Sequence, residues 1–145
     1  VIAMGALGNT GDSTLAELVE PYTESDDIST KATAFETLNR LGREPSVSTA
    51  LAVLQESDHP RTQSEMGKSL ERRATEATED DFVATAALLG RAGVSKTQRQ
   101  SLIRFLGRAA PTNETAKAIL VEHFRREKDK ELLIMIGKYL PATAF

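Results

Sequence analysis

Cysteine and tryptophan are both missing from this chain, and aromatic residues of any kind make up only 5% of it. Without cysteine there can be no disulfide, no thiolate nucleophile and no cysteine-based zinc site. The same absence fits oxidising and reducing compartments alike, so it assigns no location. A chain this poor in aromatics is badly supplied for stacking on sugars or nucleobases. The longest apolar run, Leu132 to Ile136, is far shorter than the roughly 18 residues of a membrane span. Only two histidines are present, His59 and His123, far apart in sequence, whereas a hydrolytic metal site needs converging imidazole and carboxylate ligands. His59 reads as a turn residue before Pro60 and His123 as a residue on a helix surface. Neither a G-x-S-x-G elbow nor a phosphate-binding glycine loop occurs, and the sequence predicts no catalysis, metal or cofactor.

What is present is a repeat. Leu7-Gly8 returns as Leu41-Gly42 and Leu106-Gly107, Leu140-Pro141 closes the series, and a degenerate Ala74-Thr75 fills the gap. A period of a little over 30 residues is the mark of stacked supersecondary units, each unable to bury its apolar face alone. The 40% of apolar residues suffice for a core, and the 27% charged for a soluble surface. The net charge of −3 is unevenly spread: about −7 over residues 1–60, −1 over 61–95 and +5 over 96–145. Such a dipolar layout steers partners.

Between the repeat marks every longer stretch has helical spacing, and no strand pattern competes. Ser13 or Thr14, with Glu17 in capping-box position, opens a helix over Leu15 to Val19, and Pro21 thins its last turn. Ser25-Asp26-Asp27 opens the next, carrying Ala32, Phe35, Leu38 and Leu41. Glu44-Pro45-Ser46, Asp58-His59-Pro60, Glu79-Asp80-Asp81, Gly93-Val94-Ser95 and Pro111-Thr112-Asn113 open the following ones, and a charged turn leads to Leu132 through Leu140. The paired acids at 26–27 and 80–81 are explained by helix N-termini, where negative charge stabilises free N–H groups. Asn113-Glu114-Thr115 has the form of a glycosylation sequon, but Asn113 is equally a natural N-cap.

These units resemble the HEAT repeat: a first helix, a turn with an acid, a second helix with a base in its first turn, then Leu-Gly. The start Ala6-Leu7-Gly8-Asn9-Thr10-Gly11-Asp12, followed by Leu15, Leu18 and Val19, looks like bacterial members of that family. Asp27 with Lys31, and Asp58 with Arg61, occupy its turn-acid and basic positions. The resemblance covers nearly the whole chain and weakens at Glu71 to Thr75 and in the third and fourth units. It implies an all-α fold, a right-handed α-α superhelix of about four helical hairpins preceded by a partial helix, with units near 12–42, 43–75, 76–107 and 108–140. It also implies a continuous core and a non-catalytic interaction scaffold binding a protein partner on its concave face. The iron-binding hydroxylases among HEAT-like proteins carry His-Glu dipeptides, and this chain has none. The same opening motif is similar to helical modules of large lipid-transfer proteins of the vitellogenin type, a weaker alternative.

Basic stripes are the one candidate contact feature. Arg61, Lys68 and Arg72 share one helix face, and Gln100, Arg104 and Arg108 share another at spacings of four. In HEAT-like arrays the second helices line the concave wall, so the two stripes would join, with Lys128, Lys130 and Lys138 as an extension. The expected partner is a protein with an acidic surface. The alternative is nucleic acid, as in HEAT-like DNA glycosylases, although Glu65 and Glu71 lie among the bases. Val1 to Met4 carries no cap before it. The last helix is apolar on nearly every side: Leu132, Leu133 and Ile136 on one face, Ile134 and Met135 on the other. Further repeats, end-to-end self-association or a fold-back of Pro141 to Phe145 would each satisfy that pattern, and a longer array is the expectation.

Overall fold

The computed structural model describes residues 2–57 and 59–144, with side chains from residue 4 onward in those ranges. Among them are nine α-helices and no strand, so the chain is all-α. They are α1 (Ile2–Thr10), α2 (Ala16–Val19), α3 (Ile28–Arg40), α4 (Val47–Glu56), α5 (Pro60–Arg72), α6 (Glu79–Gly90), α7 (Lys96–Ala109), α8 (Glu114–Arg126) and α9 (Lys130–Tyr139). Two rows result. In the odd row, α1, α3, α5, α7 and α9 each pack on the next; in the even row, α4 packs on α6 and α6 on α8. The rows are joined within the pairs α4–α5, α6–α7 and α8–α9.

The helix starts follow from local chemistry. The side chains of Asp27, Ser46, Ser95, Asn113 and Asp129 accept backbone N–H groups at the starts of α3, α4, α7, α8 and α9, satisfying donors that have no partner inside the helix. Thr78 and Asp81 form a reciprocal capping box on α6: the Asp81 N–H donates to Thr78 Oγ1 at 3.3 Å and the Thr78 N–H to the Asp81 carboxylate at 2.8 Å. Thr78→Ala is expected to cost about 1 kcal/mol, read as a shift in denaturation midpoint with unchanged slope. Asp58, expected in the start of α5, lies outside the described residues.

The repeated Leu-Gly marks the ends of odd-row helices. Leu41, Ala74, Leu106 and Leu140 are all buried there. The glycine beside them plays two different parts. Gly42 has φ +76° and closes α3, its N–H donating to Asn39 O at 3.1 Å while the Arg43 N–H reaches Leu38 O at 2.8 Å. Gly107 lies inside α7, where a Cβ would meet Tyr139 Cδ1 and Cδ2 at 2.5 and 2.6 Å. That glycine lets α9 approach α7.

Three expectations are corrected. The helix over Leu15 to Val19 is broken into a 3-10 turn (Ser13–Leu15), the four-residue α2 and a 3-10 segment from Glu20 to Glu24 with Pro21 near its start. The cap is Asp12 rather than Ser13 or Thr14; its carboxylate accepts Thr14 N at 3.0 Å and Thr14 Oγ1 at 2.7 Å. The core is also not continuous. Met4, Ala16, Val19, Ala34, Leu38 and Leu41 form one cluster, while Phe35 joins the larger cluster running to Leu140, so α3 buries two faces against separate cores. In α9, Leu132 and Ile136 are buried, Leu133 is half-buried, Met135 packs on the core, and only Ile134, 62% exposed, remains as a large open apolar side chain. Val1 and Phe145, part of the reading of the two ends, lie outside the described residues.

The large cluster is centred on α5 to α7. Phe82 and Phe105 stack with centroids 5.7 Å apart, both almost fully buried, and bind α6 to α7. Buried Gln98 donates from Nε2 to Leu54 O at 2.9 Å, satisfying a carbonyl near the end of α4. Arg73 donates from Nη1 to Glu44 O and Pro45 O at 3.1 and 2.9 Å, holding the α3–α4 loop against the end of α5.

Candidate interaction surface

The two basic stripes lie on adjacent helices of the odd row, α5 and α7, and four of their six residues are already matched to acids. Arg61 is hydrogen-bonded to Glu36 of α3, which also receives Arg40 at 2.7 Å. Arg72 bonds Glu44 in the α3–α4 loop, and Lys68 lies 3.4 Å from Glu65 on its own helix. Arg108 of α7 holds Glu71 of α5 through Nε and Nη2, at 3.2 and 3.0 Å. Asn39 completes the row by donating to Glu65 at 2.9 Å. The result is a ladder of alternating charge from α3 across α5 to α7. Its pairs are largely exposed and each is worth roughly 0–1 kcal/mol. The Arg61 bond, despite partial burial, holds the Glu36 carboxyl below the usual glutamate range, with Arg40 adding to the effect.

Arg104 and Gln100 differ: neither side chain has a hydrogen bond or ion pair among the described residues. Helix geometry places Arg104 centrally. Ser101 meets Gly67 and Arg108 meets Glu71 on the side of α7 towards α5, while Gly107 meets Tyr139 on the side towards α9. At about 100° per residue, Arg104 falls between these two sides. Two clefts lie along the ladder. One, of about 420 Å³, includes Glu36, Arg40 and Glu65; the other, of about 320 Å³, is formed by Lys68, Glu71, Arg72 and Arg108. Lys68 and Arg72 border both, so the clefts adjoin. Lys130 and Lys138 lie eight residues apart on α9, the spacing of Gln100 and Arg108 on α7, and Lys128 lies in the turn before α9.

A second polar cluster was not legible as such. Glu127, in the α8–α9 turn, has a side chain only 2% exposed, and His123 of α8 only 8%. His123 is therefore buried, correcting its reading as a helix-surface residue. Its Nε2 lies 2.8 Å from Glu127 Oε2. Glu127 Oε1 accepts the Lys128 and Asp129 N–H groups, both at 3.0 Å, and Arg99 of α7 approaches at 3.3 Å. Burial works against the charged carboxylate, but the Asp129 amide, His123, the Lys128 amide and Arg99 outweigh it and hold the group below the ordinary glutamate range. With Glu127 ionised, the proton between the pair belongs to His123 Nε2. Nearby, Lys96 bonds Glu131 at 2.7 Å and Asp129 at 3.1 Å, raising its own affinity for a proton. The sequence signal was the four-residue spacing of His123 and Glu127; the contribution of Arg99, from another helix, had none.

On the even row, an open cleft of about 410 Å³ between α6 and α8 has an apolar floor including Ala86, Ala118 and Ile119. Among the described residues no group of three or more His, Asp or Glu converges as a metal site, and no helix is long and apolar enough to cross a membrane. Compared with known proteins, the chain matches no family model, no curated protein and no solved structure.

Proposed function

We propose that the chain is a non-catalytic interaction scaffold of the HEAT-like solenoid type, and that its odd row of helices receives a protein partner. The resemblance makes this row the concave wall. The observation that carries the reading is the charge ladder: acids and bases on α3, α5 and α7 are matched to one another, leaving Arg104 unpaired among them. A phosphate backbone calls for a surface of uncompensated cations. A mixed-charge face with adjoining clefts suits the polar surface of a protein, with an acidic group of the partner meeting Arg104. Paired nearest-neighbour helices also favour a broad contact surface over a single deep site. The nucleic-acid alternative rests on the basic stripes, Arg61, Lys68 and Arg72 with Gln100, Arg104 and Arg108.

The test compares the chain with Arg104→Glu and with Val83→Glu, which alters an exposed even-row residue, in quantitative binding to proteins captured from the native extract. Arg104→Glu is expected to weaken the principal partner at least about tenfold, whereas Val83→Glu leaves it unchanged. A partner insensitive to Arg104→Glu would place the contact surface elsewhere.

A further inference from the structure

A separate concentration of positive charge lies where α6, α7 and the α8–α9 turn meet. A cleft of about 290 Å³ opens there, walled by Arg99, His123, Arg126, Glu127 and Lys128, with Leu89 and Gly90 of α6 on the remaining side. Glu127 is the only acid among them, and its carboxylate is already engaged by His123, two backbone amides and Arg99. Three cationic side chains thus border a cleft whose one carboxylate is in use.

Arg99 adds an independent sign. Its Nε is buried without an acceptor, while its Nη1 reaches Glu127 only at 3.3 and 3.5 Å. A buried N–H with no acceptor is costly and is ordinarily completed by a ligand or ordered group. Arg126 is tied only loosely, 3.8 Å from Glu122 on the exposed side of α8, and the Lys128 side chain has no partner among the described residues. The end of α6 brings carbonyls rather than N–H groups to this place, so binding here falls to the side chains.

We propose that this cleft binds a small oxyanion of the phosphate class between Arg99, Arg126 and Lys128. The Arg126 guanidinium fork matches the paired oxygens of such an anion, Arg99, with Nη1 on Glu127 and Nε buried, adds positive charge, and the lysine supplies a point charge. The buried His123–Glu127 pair fixes the turn that presents Lys128 and keeps Glu127 from repelling the anion by spreading its charge over four donors. A carboxylate shares this chemistry, but three cations around one cleft favour the more highly charged phosphate. The site is formed by other residues than the odd-row ladder, so either can fail alone.

The experiment is a titration of the chain with inorganic phosphate at constant ionic strength, followed by NMR, with a parallel acetate titration as the carboxylate arm. Saturable shifts confined to Arg99 and the 126–129 turn are expected, with phosphate bound at least fivefold more tightly than acetate. An Arg126→Gln/Lys128→Gln variant is expected to bind phosphate at least tenfold more weakly while its circular dichroism and phosphate-free melting stay unchanged. Shifts that do not saturate, that spread equally to Arg61 and Lys138, or that persist in the double variant would overturn the site. Acetate binding as tightly as phosphate would overturn the phosphate assignment.

Discussion

Glu127→Ala is expected to remove about 3 kcal/mol or more of folding stability, because it breaks a buried charge network by deleting its centre. His123, Arg99 and the Lys128 and Asp129 amides all lose their acceptor at once, and each unsatisfied buried donor carries its own penalty. The turn these groups hold is three residues long and orients α9 on α7. Glu127→Gln keeps an acceptor oxygen without the charge and should fall between wild type and alanine. Urea denaturation at neutral pH reads both effects; a Glu127→Ala midpoint within error of wild type would show that the turn is held by packing alone. The same carboxylate gives a pH dependence of definite sign. Held below its ordinary value in the folded state, it stabilises the fold fully above the unfolded glutamate value of about 4.3 and loses that contribution as pH falls through the lowered folded value. Glu36, lowered mainly by its bond to Arg61, acts in the same direction. Wild-type stability is therefore expected to fall on acidification in that range, and Glu127→Gln to fall less steeply.

Gly107→Ala should cost about 1–3 kcal/mol through overpacking, although alanine is the better helix former by about 1 kcal/mol. The added methyl would sit within 2.6 Å of the Tyr139 ring. The atoms it meets are close to the ring's attachment rather than at the end of a flexible chain, so relief requires moving α9. Gly137→Ala is the control: it lies in α9 with nothing within 4 Å of its added methyl, and it should be neutral or stabilise by up to about 1 kcal/mol. A double-mutant cycle of Gly107→Ala with Tyr139→Ala should show favourable coupling, the second change making room for the first. Equal effects of Gly107→Ala and Gly137→Ala would contradict the close approach.

The helical character of the chain was legible because it depends on signals within a few residues. Asp27, Ser46, Ser95 and Asn113 all stand as caps where the sequence places helix starts. The repeated Leu at 41, 106 and 140 and the Ala at 74 are buried, as a repeating unit requires. What escaped depends on contacts between units. Nothing local shows that Gly42 serves a left-handed turn while Gly107 serves a helix crossing, since both follow leucine. The pairing of Arg61, Arg72 and Arg108 with Glu36, Glu44 and Glu71 joins residues 25 to 37 positions apart, so the stripes read as free bases. His123 was misplaced for a different reason: it follows Ala116 and Leu120 on the one buried face of α8, a position its polar side chain disguised. The break after Val19 coincides with Pro21, near the start of the 3-10 segment that follows.

The most direct test of the scaffold reading is fluorescence anisotropy with labelled duplex DNA and single-stranded RNA at low and physiological salt. A charge-balanced odd row predicts no saturable binding to either, even at low salt. Salt-sensitive binding that disappears when Arg104 and Arg108 are neutralised would contradict it and make the same row a nucleic-acid surface.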